Sequence, residues 1–88
     1  MEIKYQILYQ QNVISKDIPA LSADIKPLIK RAIEERLTVD PVGLGKPLQY
    51  SLKGHRRLRV GNHRIIYRIE KNTVIIVAIG LRRDIYED

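Results

Sequence analysis

The chain reads as an α+β domain on three observations. Ile25, Leu28, Ile29, Ala32, Ile33 and Leu37 recur three or four residues apart, which is one stripe of an α-helix. Gly61-Asn62 separates two runs rich in branched residues, the signature of a β-hairpin with a two-residue turn. Thr73 to Ile79, TVIIVAI, is apolar at both parities, as expected of a strand covered on both faces. The expected order is an N-terminal strand, one or two helices, then a three- to four-stranded antiparallel sheet with the helices on one face. Eighty-eight residues leave room for a single domain over residues 1–88.

Taken in order, Ile3, Tyr5 and Ile7 alternate with Lys4 and Gln6, a half-buried strand over about 2–9. Residues 10–20 form a short helix that stops before Pro19. The striped helix starts with Ser22 or Asp24 as its cap. Pro27 then falls in the first turn, where its missing N–H breaks no intrahelical bond. The helix must end before Pro41. Residues 38–47, TVDPVGLGKP, read as a loop, and Leu48–Leu52 as a short strand. With Gly61-Asn62 as the turn, Val60 pairs with His63, Arg59 with Arg64, Leu58 with Ile65, Arg57 with Ile66 and His55 with Arg68. Alternation then puts Arg56, Leu58, Val60, His63, Ile65, Tyr67 and Ile69 on an inner face, and His55, Arg57, Arg59, Arg64 and Arg68 around Ile66 on the other. Lys71-Asn72 is the next turn, and Gly80 ends the final strand.

Charge is concentrated rather than spread. Residues 41–69 hold seven Lys/Arg and no Asp or Glu, against a whole-chain net of +6, so the remainder sums to −1. Arg59 opposite Arg64 is an unfavourable cross-strand pair, which suits a surface shaped for phosphate. A solvated face of ordinary kind would mix signs. The field points to a polyanion, nucleic acid above all. The chain has no cysteine, hence no disulfide framework, and its two histidines lack spaced acidic ligands, so neither metal nor cofactor is expected. No apolar run reaches the roughly 18 residues that span a bilayer. The start, MEIKYQILY, is unlike a signal peptide, and a cytoplasmic location is expected.

These residues resemble the RelE/ParE superfamily of toxins from type II toxin–antitoxin pairs, over nearly the whole chain. The resemblance rests on Leu37-x-x-x-Pro41, on RLRVGNHRIIY from Arg57 to Tyr67, close to the family's L-R-V-G-x-x-R-x-x-Y, and on G-x-R-x-x-x-Y from Gly80 to Tyr86. It implies a microbial-ribonuclease-like sheet with helices on one side, closer to RelE. It also implies an antitoxin partner in a hetero-oligomer, and messenger RNA in the ribosomal A site as substrate. By resemblance, Arg64 falls on the arginine that contacts the scissile phosphate and Arg57 on a basic position of the preceding strand. His55 lies where some members have a lysine, Arg82 on the arginine after the last strand, and Tyr86 on the C-terminal tyrosine. Leu81 departs from the family, many of whose active members have histidine after the glycine.

The implied chemistry is metal-independent transfer of the RNA phosphodiester to its own 2′-oxygen. Arginines suit the stabilising role, because a guanidinium pairs bidentately with phosphate and stays charged. The expected catalytic set is Arg57, Arg59, Arg64, Arg82 and Tyr86; the expected RNA-binding set is Lys53, His55, Arg56 and Arg68. His55 is the remaining acid or base candidate by residue type. Tyr67 and Tyr5 read as core aromatics, Tyr50 and Tyr9 as either core aromatics or base-stacking platforms, and Arg83-Asp84 as a solvated pair. Two alternatives stay open: a ParE-type inhibitor of DNA gyrase without nuclease activity, and an inactive member that only binds antitoxin.

Overall fold

A computed structural model describes residues 4–81, 83 and 85. Its centre is a five-stranded mixed sheet in the order β1-β5-β4-β3-β2. The strands are β1 (Gln6–Tyr9), β2 (Lys46–Pro47), β3 (His55–Val60), β4 (His63–Glu70) and β5 (Thr73–Leu81). The hairpin register is the expected one at all the pairs named above, with Arg59 opposite Arg64 and His55 opposite Arg68. Gly61 takes φ 60° in its turn, a conformation that glycine adopts without strain. The α+β class holds.

Three details depart from expectation. The sheet is not wholly antiparallel: β1 lies parallel to β5, with Gln6 beside Thr73 and Tyr9 beside Ile76. Nothing local in residues 2–9 specifies a partner so far along the chain. The strand expected at 48–52 is instead β2 at Lys46–Pro47 followed by a 3-10 turn, Tyr50–Leu52. The loop expected at 38–47 contains a short helix, α2 (Pro41–Leu44), whose start is capped by Asp40 Oδ1 accepting from Gly43 N at 2.9 Å, with proline at the first helical position.

The helical layer covers one face of the sheet. Helix α1 (Ile25–Ala32) continues into a π-type turn, Ile33–Leu37, and an earlier π-type turn spans Val13–Asp17. Asp24 occupies the cap position of α1 but makes no side-chain cap bond. Ile29, Ala32, Ile33 and Leu37 are buried against Leu58, Ile65, Tyr67, Val74 and Ile76. Leu28 is the exception in the stripe, 51% exposed, because the 100° advance per residue carries it off the buried face. Each fully buried isoleucine or valine here contributes about 1.5–3 kcal/mol through apolar burial. The first helical turn is also stitched to the edge of β5: Asn12 Nδ2 donates to Val77 O at 3.1 Å, and Ile79 N donates to Asp17 Oδ2 at 2.9 Å. These side chains take the place of the strand that β1 no longer supplies beyond Tyr9.

Among the described residues no helix is long and apolar enough to cross a membrane.

Candidate nucleic-acid interface

The hairpin β3–β4 presents its two faces to different surroundings. Inward, Leu58, Ile65 and Tyr67 enter the core. Outward, the ladder sets three rows across the sheet. Arg59 and Arg64 are followed by Gly80; Lys46, Arg57 and Ile66 by Ala78; His55 and Arg68 by Ile75. Paired residues share a face, so these side chains belong to the outer surface.

At the turn end of the hairpin this surface opens into a cleft of about 640 Å³, lined by Arg59, Gly61, Asn62, Arg64, Leu81 and Arg83. Three guanidinium groups border it and no carboxylate does, among the described residues. Arg64 is 3% exposed, the sole buried charged residue among those described. Gly80 lies beside it in register, so β5 adds no side chain there. A buried cation is costly unless it is satisfied or meets an anion. Three guanidinium groups along one cleft, with no acid on its lining among the described residues, make a local cationic field that attracts an anionic ligand.

Away from the cleft, Lys46, Arg57, His55 and Arg68 continue the cationic lane along the strands. His55 is half-buried, and its Nδ1 is buried with no hydrogen-bond partner among the described residues. Arg68 Nε donates to Glu70 Oε2 at 2.7 Å, a partly exposed ion pair that offsets charge at that end. Ile66, 2% exposed, interrupts the lane with an apolar centre. Leu52 and Ile85 line the same 450 Å³ cavity as Ile66, Ala78 and Gly80. A Cβ on Gly80 would meet Ile85 Cγ1 at 3.3 Å. Ile85 therefore lies against this face.

The expected site residues sort as follows. Arg59 and Arg64 meet in the cleft. Arg57, His55 and Arg68 form the adjoining lane, and Lys53 is exposed at the turn leading into β3. Arg56 is set apart from all of them. It faces inward, and its Nη1 donates to Val42 O at 3.1 Å and Gly45 O at 3.2 Å, holding α2 to the sheet. Arg82 and Tyr86 lie outside the described residues. Two residues that sequence reading passed over join the surface. Arg83 lines the cleft rather than serving only as a solvated tail residue, and Lys46 stands beside Arg57 on β2. The doubled arginine after β5 was the available signal for the first. For the second there was none, because β2 was placed too late in the chain.

Tyr67 braces the lane from behind. It is fully buried, and its hydroxyl donates to Pro41 O at 2.6 Å. Burial pushes its pKa up to about 12, with the Asp40 charge adding to the rise and the Arg56 charge opposing it. Gly45 is needed where the ring passes, since a Cβ there would collide with the Tyr67 hydroxyl. No cluster of three or more His, Cys, Asp or Glu suited to a metal occurs among the described residues.

A mixed sheet with a one-sided helical layer and an outward arginine cleft defines a small basic α+β protein with an anion-attracting surface. Residues 14–86 match the family model for the ParE toxin of type II toxin–antitoxin systems, and the chain belongs to that family. It is similar to Toxin RelG of Mycobacterium tuberculosis, 42% identical over 52 residues, which is 57% of this chain and 60% of that protein. The matched region thus spans about 60% of the length of this curated relative. The toxin–antitoxin complex RelBE2 of Mycobacterium tuberculosis superimposes with TM-score 0.85 at 27% identity, covering 91% of this chain and 93% of that one. The RelB–RelE antitoxin–toxin complex of Methanococcus jannaschii gives TM-score 0.71 at 26% identity, over 90% and 94%.

Proposed function

We propose that this chain is the toxin of a type II toxin–antitoxin pair and acts as a ribosome-dependent endoribonuclease on messenger RNA. The observation that carries the reading is the cleft bordered by Arg59, Arg64 and Arg83, with no acid on its lining among the described residues. Its relatives' structures, solved as toxin–antitoxin complexes, support an antitoxin as the neutralising partner.

In the proposed reaction the 2′-hydroxyl gives up its proton as its oxygen attacks phosphorus, and the bond to the 5′-oxygen breaks as that oxygen takes up a proton. The products are a 2′,3′-cyclic phosphate and a 5′-hydroxyl. Negative charge gathers on the non-bridging oxygens as phosphorus becomes five-coordinate. Arg64, already desolvated, and Arg59 beside it stabilise that charge without reorganising. Arg57 and Lys53 bind flanking phosphates, and the ribosome supplies alignment of the strand. His55 lies four residues from Arg59 along β3, about 13 Å at ~3.3 Å per residue. That distance suits a backbone contact rather than proton transfer at the cleft. Arg82 and Tyr86 remain the proposed arginine and tyrosine of the segment after β5.

Primer extension on translated messages after brief induction tests this. Cuts confined to codons in the A site are expected; intact messages together with trapped gyrase–DNA cleavage complexes would overturn it. That second outcome is the ParE-type reading, which Leu81 and the matched family model favour.

A further inference from the structure

Tyr50 is the most exposed of the large apolar side chains described, at 81%, and it is held at φ 55°. That left-handed conformation favours glycine or asparagine and strains a bulky residue. Tyr50 opens the 3-10 turn that projects between β2 and β3, its carbonyl accepting from Lys53 N at 3.1 Å. The loop is pinned at its base, where Leu48 N donates to His55 O at 3.0 Å. It therefore stands at the far end of the cationic lane from the Arg59–Arg64 cleft, with Lys53, His55 and Arg57 between. A strained, solvent-facing aromatic gains nothing for the core, and such strain collects at binding positions.

We infer that Tyr50 is a base-stacking platform that seats a nucleotide of single-stranded RNA several positions from the cleaved phosphate. This rests on the reading of the cleft given above. Single-strand binders combine a cationic groove for the backbone with aromatic rings that stack bases, and this lane ends in such a ring. The cleft would hold the scissile phosphate while Tyr50 sets how far along the strand a base must be present. Recognition is tolerant of sequence, because every base has a π-face.

The test is binding of an RNA of about eight nucleotides, the same length without bases, and a dinucleotide, to the full chain at several salt concentrations. Tyr50→Ala should weaken the octamer about tenfold, the order of one lost stack, with the salt slope, the abasic strand and the dinucleotide unchanged. Tyr50→Phe should bind as the parent does. Tyr50→Asn should raise Tm while losing octamer affinity, the opposite of a residue that serves the fold. Equal octamer binding by Tyr50→Ala, or loss of Tm in step with affinity, overturns the inference. If Arg64→Ala still weakens both base-bearing RNAs in that case, the cleft reading survives alone. A parent chain that binds none of the three overturns the inference, and primer extension then decides the cleft reading separately.

Discussion

Arg56 and Arg57 are chain neighbours with opposite fates. Alternation along β3 turns Arg56 inward, where its guanidinium is consumed by the carbonyls of Val42 and Gly45. It turns Arg57 outward, between Lys46 and Ile66, into the cationic lane. The inner arginine makes shape: with Tyr67 it fastens α2 and the Gly45 that follows it. The outer one makes field. Counting charges along the chain cannot separate these roles, whereas the two-residue period of the strand can.

The largest break in this comparison is expected at Arg64. Arg64→Ala should lower cleavage by on the order of 10²–10³, by analogy with loss of one preorganised donor to a developing oxyanion. Its Tm should hold, since the change removes a buried like-charge neighbour of Arg59. Growth arrest and primer extension read the first effect and thermal unfolding the second. Undiminished toxicity in a folded variant would remove the cleft from the reaction.

Next comes the inner brace. Gly45→Ala should cost about 1–3 kcal/mol in urea unfolding, because a Cβ must displace a ring that its own hydrogen bond holds in place. Tyr67→Phe should cost about 1–2 kcal/mol at neutral pH, leaving the Pro41 carbonyl buried without its donor. The pH dependence has a definite sign. The folded pKa of Tyr67, about 12, lies above the ordinary tyrosine value of 10.0. Its contribution is therefore complete below pH 10 and is lost as pH rises through 12. Unfolding across that window should be blunted in Tyr67→Phe; an unchanged alkaline slope would show that the hydroxyl is not the group responsible. The raised Tyr9 pKa, from burial and then the Glu34 charge, acts in the same direction.

The smallest effects sharpen the contrast most. Arg56→Ala should lower stability by about 1–2 kcal/mol through its lost carbonyl bonds, and leave the salt slope of RNA binding intact. Arg57→Ala should do the reverse, reducing that slope by about one with little change in Tm. Matching behaviour of the two variants would mean that the faces are not functionally distinct.

Much of this was legible beforehand, for local reasons. The turn at Gly61-Asn62 sets the register of β3–β4, and register sets the faces, so the grouping of Arg57, Arg59 and Arg64 needs only short-range information. The apolar run of β5 and the stripe of α1 were equally local. What escaped reading depended on distant chain. β1 pairs with a strand from the other end of the sequence, and the parallel sense of that pairing has no mark in residues 2–9. The helix α2 hid inside a Pro/Gly-rich stretch, although Asp40-Pro41 is a cap followed by proline at the first helical position. Arg83 could be placed only once Ile85 was seen to fold back over Gly80.

The parallel pairing of first strand with last also orders events during synthesis. Gln6 finds its neighbour only when Thr73 has been made. Until then the helices have only the β3–β4 hairpin to lie on, and that hairpin has no β5 beside it. Everything up to Gly80 must therefore be made before Arg64 can be walled in by it. A chain stopped ahead of β5 would leave Arg64 without that wall, so the enclosed cleft forms only after the strand that pairs with β1 has been made.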